Sequence, residues 1–251
     1  MKTNDGLRLA ATDDNARRET VARSLDSLKR RQRVGTGGQA ASGTRRAAPL
    51  ETALPDDPET AAREVAHDED LAARFRRAAT AVGMNVRTAT LSDWLDVVGE
   101  LLRKHEARSA AIPTAGDGFF EAKRVEQLKQ RLTAEGISAK SDVDDEALFS
   151  VDAAITGVAA AIAEHGSLVC ESRPGVARGS SLIPPIHIAV VTLEQLLPDL
   201  CDYFDGLGKL PGLPAAISLI TGPSKTADIE GVLVTGVHGP GEVYVVLVRH
   251  A

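Results

Sequence analysis

Four short apolar runs in the C-terminal half, 167–170, 186–191, 215–220 and 243–248, most limit what this chain can become. Each is bounded by glycine or proline, and none alternates strictly between apolar and polar residues. A strand with one wet face alternates; a strand covered on both faces reads as a continuous apolar run. Helical patterns lie between and before these runs. Leu71, Phe75, Ala78 and Val82 share one face of a helix ending at Gly83. A second helix is expected from Ser92, as N-cap, through Leu95, Val98, Leu101 and Leu102. A short strand is expected over 108–112. A third helix is expected over 120–135, with Val125, Leu128 and Leu132 inward and Gly136 just past its end. Ile155, Val158, Ala159 and Ile162 suggest an alanine-rich helix stopping at Gly166. Thr192-Leu-Glu-Gln195 has the spacing of a capping box opening a further helix, with Pro198 inside it. Helices alternating with doubly covered strands make an α/β fold: a mostly parallel sheet flanked by helices.

The first 66 residues read differently. Residues 15–33 suit one amphipathic, arginine-rich helix, and residues 35–43 (Gly35-Thr-Gly-Gly-Gln-Ala-Ala-Ser-Gly43) suit a tether. The expected organisation is an arm at 1–66, dispensable for folding, and a single α/β domain at 67–251.

Composition removes several classes of function. The formal net charge of −6 and an aromatic content of 3% argue against a basic nucleic-acid face or a base-stacking platform. No apolar run approaches the roughly 18 residues of a spanning helix, and residues 1–10 do not read as a secretory signal, so a cytoplasmic protein is expected. Cys170 and Cys201 are the only cysteines. Two thiols cannot supply the four ligands of an iron–sulfur cluster or a structural zinc from this chain alone, and they are expected to be small buried hydrophobes. No metal site and no cofactor are expected: zinc spacing, a phosphate-binding P-loop, a nucleophile elbow and a dinucleotide fingerprint are all absent from the sequence.

Chemistry concentrates after the third apolar run, in Ile220-Thr-Gly-Pro-Ser-Lys-Thr-Ala-Asp-Ile-Glu230 and in Gly236-Val-His-Gly-Pro240. Gly222 permits a positive φ and Pro223 stiffens the turn. Ser224 and Thr226 are placed to cap a short helix beginning near Ala227, whose free amides attract an anion, with Lys225 adding positive charge. His238, between glycines, offers an imidazole in a tight, exposed turn. The ligand-binding candidates are therefore Gly222, Ser224, Lys225, Thr226, Gly236, His238 and Gly239. Asp228, Glu230 and His238 are the acid–base candidates. The two turns are expected to meet at one end of the sheet, around a small carboxylate or phosphate. His187 reads as a satisfied core histidine, and His165 as a histidine at the end of the alanine-rich helix.

Four stretches together resemble the LUD (lactate-utilisation) domain family, most closely its small C-type members. They are Ala161-Ile-Ala-Glu-His-Gly-Ser167, Leu182-Ile-Pro-Pro-Ile-His-Ile-Ala-Val-Val191, Thr221-Gly-Pro-Ser-Lys-Thr-Ala-Asp-Ile-Glu230 and Gly236-Val-His-Gly-Pro240. The resemblance spans about 68–248, with His165 standing where the family usually has threonine. It implies a NagB/RpiA/CoA-transferase-like fold. It also implies a part in oxidising L-lactate to pyruvate beside iron–sulfur partner proteins, in which this chain is a non-redox component. A stand-alone CoA-transferase-like or sugar-phosphate isomerase-like catalyst acting on a small anion is the alternative, with Lys225, Asp228, Glu230 and His238 as its acid–base groups.

Overall fold

The structure, a computed structural model, describes residues 64–66, 68–141, 143–172, 178–209, 212–227 and 233–249. All of them fall within one compact unit, Ala62–Ala251. The helix expected at 15–33 and the tether at 35–43 lie outside the described residues. Val65, assigned to the arm by the sequence, is 5% exposed, so the folded part begins ahead of it.

The chain runs α1 (Leu71–Ala81), β1 (Asn85–Thr90), α2 (Trp94–Lys104), β2 (Ser109–Ala111), α3 (Ala122–Ala134), β3 (Ser138–Lys140) and α4 (Asp145–Leu148). It continues through β4 (Ala153–Thr156), β5 (Ala160–Ile162), β6 (Ser167–Glu171), β7 (Ile186–Thr192), β8 (Leu196–Leu197) and α5 (Leu200–Leu207). It closes with β9 (Ile217–Ile220), β10 (Lys225–Ala227), β11 (Leu233–Thr235) and β12 (Glu242–Arg249). Six strands form the central sheet in the order β1-β12-β7-β4-β2-β3, parallel at every pairing. A four-stranded sheet, β8-β5-β6-β9, and a β10–β11 hairpin complete the fold.

β12 shows why the apolar runs lack alternation. Tyr244, Val246 and Val248 join one core with Val98, Leu101 and Leu102 of α2 and Leu128 and Leu132 of α3. Val243, Val245 and Leu247 point the other way, into a core with Phe75 and Ala79 of α1 and Leu168 and Ile220 of the second sheet. Burying each such side chain contributes roughly 1.5–3 kcal/mol, so a strand buried on both faces anchors the domain. Outside the second sheet, α5 packs Tyr203 and Leu207 onto Ile162 and Val169.

Four expectations are corrected. Residues 155–162 are not a helix but the end of β4 and all of β5, nearly all buried. The chain turns at Gly157, where an added Cβ would lie 2.0 Å from the carbonyl oxygen of Asp117. Ser92 does not cap α2. Asp93 holds the cap position and its carboxylate accepts from the Thr90 amide rather than from a helix amide. The capping box at Thr192 and Gln195 does form, but it opens only one 3₁₀ turn, Leu193–Gln195. The helix itself starts after Pro198, where Asp199 accepts from the Asp202 amide at 3.0 Å. Finally, the short helix expected near Ala227 is replaced by β10, paired antiparallel with β11.

Strand order reverses once in the central sheet. From β2 the chain moves through α3 to β3 at one edge; from β4 it moves to β7 and β12 on the other side. The crevice beyond the carboxyl ends of β2 and β4 lies at that reversal, where open parallel sheets hold ligands. No helix among the described residues is long and apolar enough to cross a membrane.

Candidate functional site

The two glycine-rich turns come together. The Ser224 amide donates to the Pro240 carbonyl at 2.8 Å, and the Gly236 amide donates to the Ser224 carbonyl at 2.8 Å. Gly239 lies against Ser224 closely enough that a Cβ on it would stand 3.1 Å from the serine Cβ. Gly222 has φ +94°, and its own Cβ would sit 2.4 Å from the Val82 carbonyl oxygen, so the turn is pressed onto the end of α1. Lys225 reaches the same carbonyl, Nζ donating to Val82 O at 3.2 Å, and thereby complements the negative end of the α1 dipole. His238 is exposed, while Gly236 and Gly239 beside it are buried. Thr226 lies within β10. Asp228 and Glu230 lie outside the described residues.

This pair of turns sits at the amino ends of the central strands. The Gly241 amide donates to the Pro185 carbonyl at 2.9 Å, immediately before β7 and β12 begin in register. The signature turns and the strand-order reversal therefore occupy different ends of the sheet.

A hydrogen-bonded chain joins two of the signature stretches. His165 Nδ1 lies 2.7 Å from Ser167 Oγ, which is 2.5 Å from Thr221 Oγ1. His165 is not at a helix end; it occupies the turn between β5 and β6. Gly166 beside it has φ +71°, and its backbone packs so near α1 that a Cβ would lie 2.2 Å from the Ala79 amide nitrogen.

The crevice at the reversal has no motif of its own. Its centre is Gly116-Asp117-Gly118 after β2, locked against Gly157-Val158 after β4. Gly118 has φ +54° and would place a Cβ 2.4 Å from the Val158 carbonyl oxygen. The Gly157 amide donates to Asp117 Oδ2 at 2.9 Å. Burial raises the Asp117 carboxyl above its ordinary range, and the Gly157 hydrogen bond pulls the other way. On one side of Asp117 opens a cavity of about 440 Å³ whose walls include Val158, Glu171, Gln195, Asp202, Tyr203 and Leu207. Tyr203 donates its hydroxyl to Glu171 Oε1 at 2.8 Å. On the other side is a smaller pocket reaching Thr156, Cys170 and Ser181. The glycines flanking Asp117 and the lone Gly157 are the signal the sequence offers for it, and they lie too far apart to read as one site.

Behind Thr156 lies His187, fully buried in β7, its Nε2 2.8 Å from Thr156 Oγ1. Its Nδ1 has no hydrogen-bond partner among the described residues. The histidine is thus in the core as expected, but satisfied at one nitrogen only. Burial lowers its pKa to about 4. Burial, reinforced by the charge of Asp117, pushes the Cys170 thiol up to about 12. Cys170 is partly buried, whereas Cys201 is exposed, unlike the expected pair of buried thiols.

Comparison with known proteins places these features in context. A family model described as LUD domain matches residues 72–248. A lactate utilization protein C from Exiguobacterium is 32% identical over 200 residues, spanning 73% of this chain and 80% of that protein. An uncharacterized protein from Neisseria meningitidis is 27% identical over 172 residues, spanning 67% of this chain and 72% of its own. The crystal structure of a DUF162 family protein from Deinococcus radiodurans aligns over 71% of this chain and 96% of that one, at 20% identity and a TM-score of 0.48.

Proposed function

Because this chain belongs to the LUD domain family, we propose that it serves in lactate utilisation as a component that carries no redox group of its own. In this reading L-lactate is oxidised to pyruvate, giving up two electrons and two protons. The electrons pass to iron–sulfur partner proteins. The supporting observation is the thiol inventory: two cysteines, one partly buried in β6 and one exposed on α5, against the four thiolates a cluster needs. A relative that supports the reading, matched over 73% of this chain, is named lactate utilization protein C.

Within that role the joined turns are the proposed anion site. Gly222, Gly236 and Gly239 let backbone come close, Ser224 supplies a hydroxyl beside them, and His238 adds positive charge when protonated. Lys225 and Thr226 frame the turn, Lys225 from its place at the end of α1. Asp228 and Glu230 follow β10 in the sequence and, with His238, remain the proposed acid–base groups. The bound species would be a small carboxylate or phosphate.

A pull-down tests the role. Affinity-tagged full-length chain is recovered from native cells grown on L-lactate, and co-purifying proteins are identified and assayed for iron and sulfide. Cysteine-rich, iron-containing partners are expected. Recovery of the chain alone from actively lactate-consuming cells would oppose the reading.

A further inference from the structure

We propose that the hydrogen-bonded chain His165–Ser167–Thr221 extends the anion site at the joined turns. Thr221 donates its hydroxyl to the bound carboxylate or phosphate, while Ser167 and His165 are positioning residues that turn that proton outward. The inference rests on the anion-site reading above and adds to it a donor just past β9.

Three observations carry it. First, the chain crosses from one signature stretch to another and ends at the turn. Ser167 opens β6, and Thr221 follows β9, its antiparallel neighbour, so the pairing of Leu168 with Ile220 holds the two hydroxyls 2.5 Å apart. Thr221 is the residue immediately before Gly222. Second, exposure rises toward the turn. Ser167 is 1% exposed and His165 half-buried, whereas Thr221 is exposed. The inner hydroxyl is closed to a ligand and acts only through its two partners. Third, both ends are fixed before a ligand arrives. Gly166 beside His165 and Gly222 beside Thr221 have φ of +71° and +94° and press on α1, one against Ala79 and the other against Val82. A donor already held in place loses little freedom on binding.

The direction of the chain decides what Thr221 offers, because each hydroxyl carries one proton. Where His165 Nδ1 accepts from Ser167, Thr221 must donate inward to Ser167, and its outward side presents lone pairs that repel an anion. Where Nδ1 carries hydrogen, it donates to Ser167, Ser167 donates to Thr221, and the Thr221 proton is free to meet the ligand. The neutral ring reaches the second arrangement by a change of tautomer, without a change of charge. A bound anion selects that arrangement.

The test is titration of the full-length chain with sodium L-lactate at one fixed pH, by calorimetry and by NMR of nitrogen-15-labelled histidine, with His165→Gln identifying the His165 signals. As lactate saturates, the His165 Nδ1 resonance is expected to move toward the N–H position. Thr221→Val keeps the shape without the hydroxyl and should weaken lactate roughly tenfold, the loss of one hydrogen bond to a charged group. Thr221→Ser should restore most of that affinity. Ser167→Ala, if folded, should weaken lactate and leave the His165 resonance unmoved by it, which a role in packing alone does not produce. Lactate binding that is lost in Ser224→Ala but unchanged in Thr221→Val would overturn this inference and leave the anion site standing, as would a stationary His165 resonance in the saturated parent. Absence of saturable lactate binding by the parent would overturn both.

Discussion

His187 is a side chain whose protonation the fold controls through burial. Unfolded, it titrates near 6.5; in the core burial lowers its pKa to about 4. Between those values the unfolded chain binds the extra proton, so stability is complete above about pH 6.5 and falls as the pH drops toward 4. The loss approaches ~3 kcal/mol for a group so fully enclosed. Urea unfolding midpoints measured from pH 7 to 4.5 should fall more steeply for the parent than for His187→Gln; matching slopes would remove this histidine from the acid sensitivity. Glycines give a second residue-scale outcome. Gly222→Ala must hold φ near +94° with its methyl against the Val82 carbonyl, costing ~2 kcal/mol or more in denaturant unfolding. At the turns, Ser224→Ala and His238→Ala should each weaken phosphate or lactate binding several-fold, and unaltered titrations in both would leave the turns as structural punctuation. Gly222, Ser224, Gly236, His238 and Gly239 are visible in the sequence because they crowd two short stretches. Asp117 is not, because its partner Gly157, and Glu171 on the same cavity wall, come near it only when β4 and the second sheet fold around it.

Among the elements, long periodic segments are legible in the sequence and short buried ones are not. α1 and α3 lie where leucine, phenylalanine and valine recur at helical spacing, and each is followed by a glycine at positive φ, Gly83 and Gly136. β6, β7, β9 and β12 lie on the four apolar runs. β4 and β5 mimic a helix because 153–162 is rich in alanine and buried in all directions; period alone does not separate a buried strand pair from a buried helix. β1 is hidden for the opposite reason: Asn85-Val-Arg-Thr-Ala-Thr90 is an edge strand with much of its surface exposed. Helix starts carry the testable energy at this scale. Asp70 accepts from the amides of Ala72 and Ala73 at 3.0 and 3.1 Å, so Asp70→Ala should lower stability by ~1 kcal/mol. A change within error in urea titration would show that α1 is held by Phe75 and Ala79 alone.

For the whole molecule, the alternation of patterns reads as an α/β domain, and the parallel six-stranded sheet is that fold. The second sheet is legible only in part: β6 and β9 lie on apolar runs, whereas β5 and β8 are two or three residues long, pair parallel with each other, and carry no strand signal of their own. Its presence moves the signature turns: Gly222 follows a strand of the second sheet and Gly236–Pro240 precedes β12, so both lie at the amino ends of the central strands. The amino-terminal boundary also follows from packing, with Val65 buried and Glu64 3.4 Å from Arg74. Removing residues 1–61 is expected to leave the cooperative thermal transition nearly unchanged; a loss comparable to a whole domain's roughly 5–15 kcal/mol would mean that the arm is part of the fold. The central claim is a role in lactate utilisation, and growth tests it most directly. A strain lacking this chain should fail to grow on L-lactate as sole carbon source, grow normally on pyruvate, and recover when the intact chain is returned. Undiminished growth of the deletion strain on L-lactate would contradict the claim.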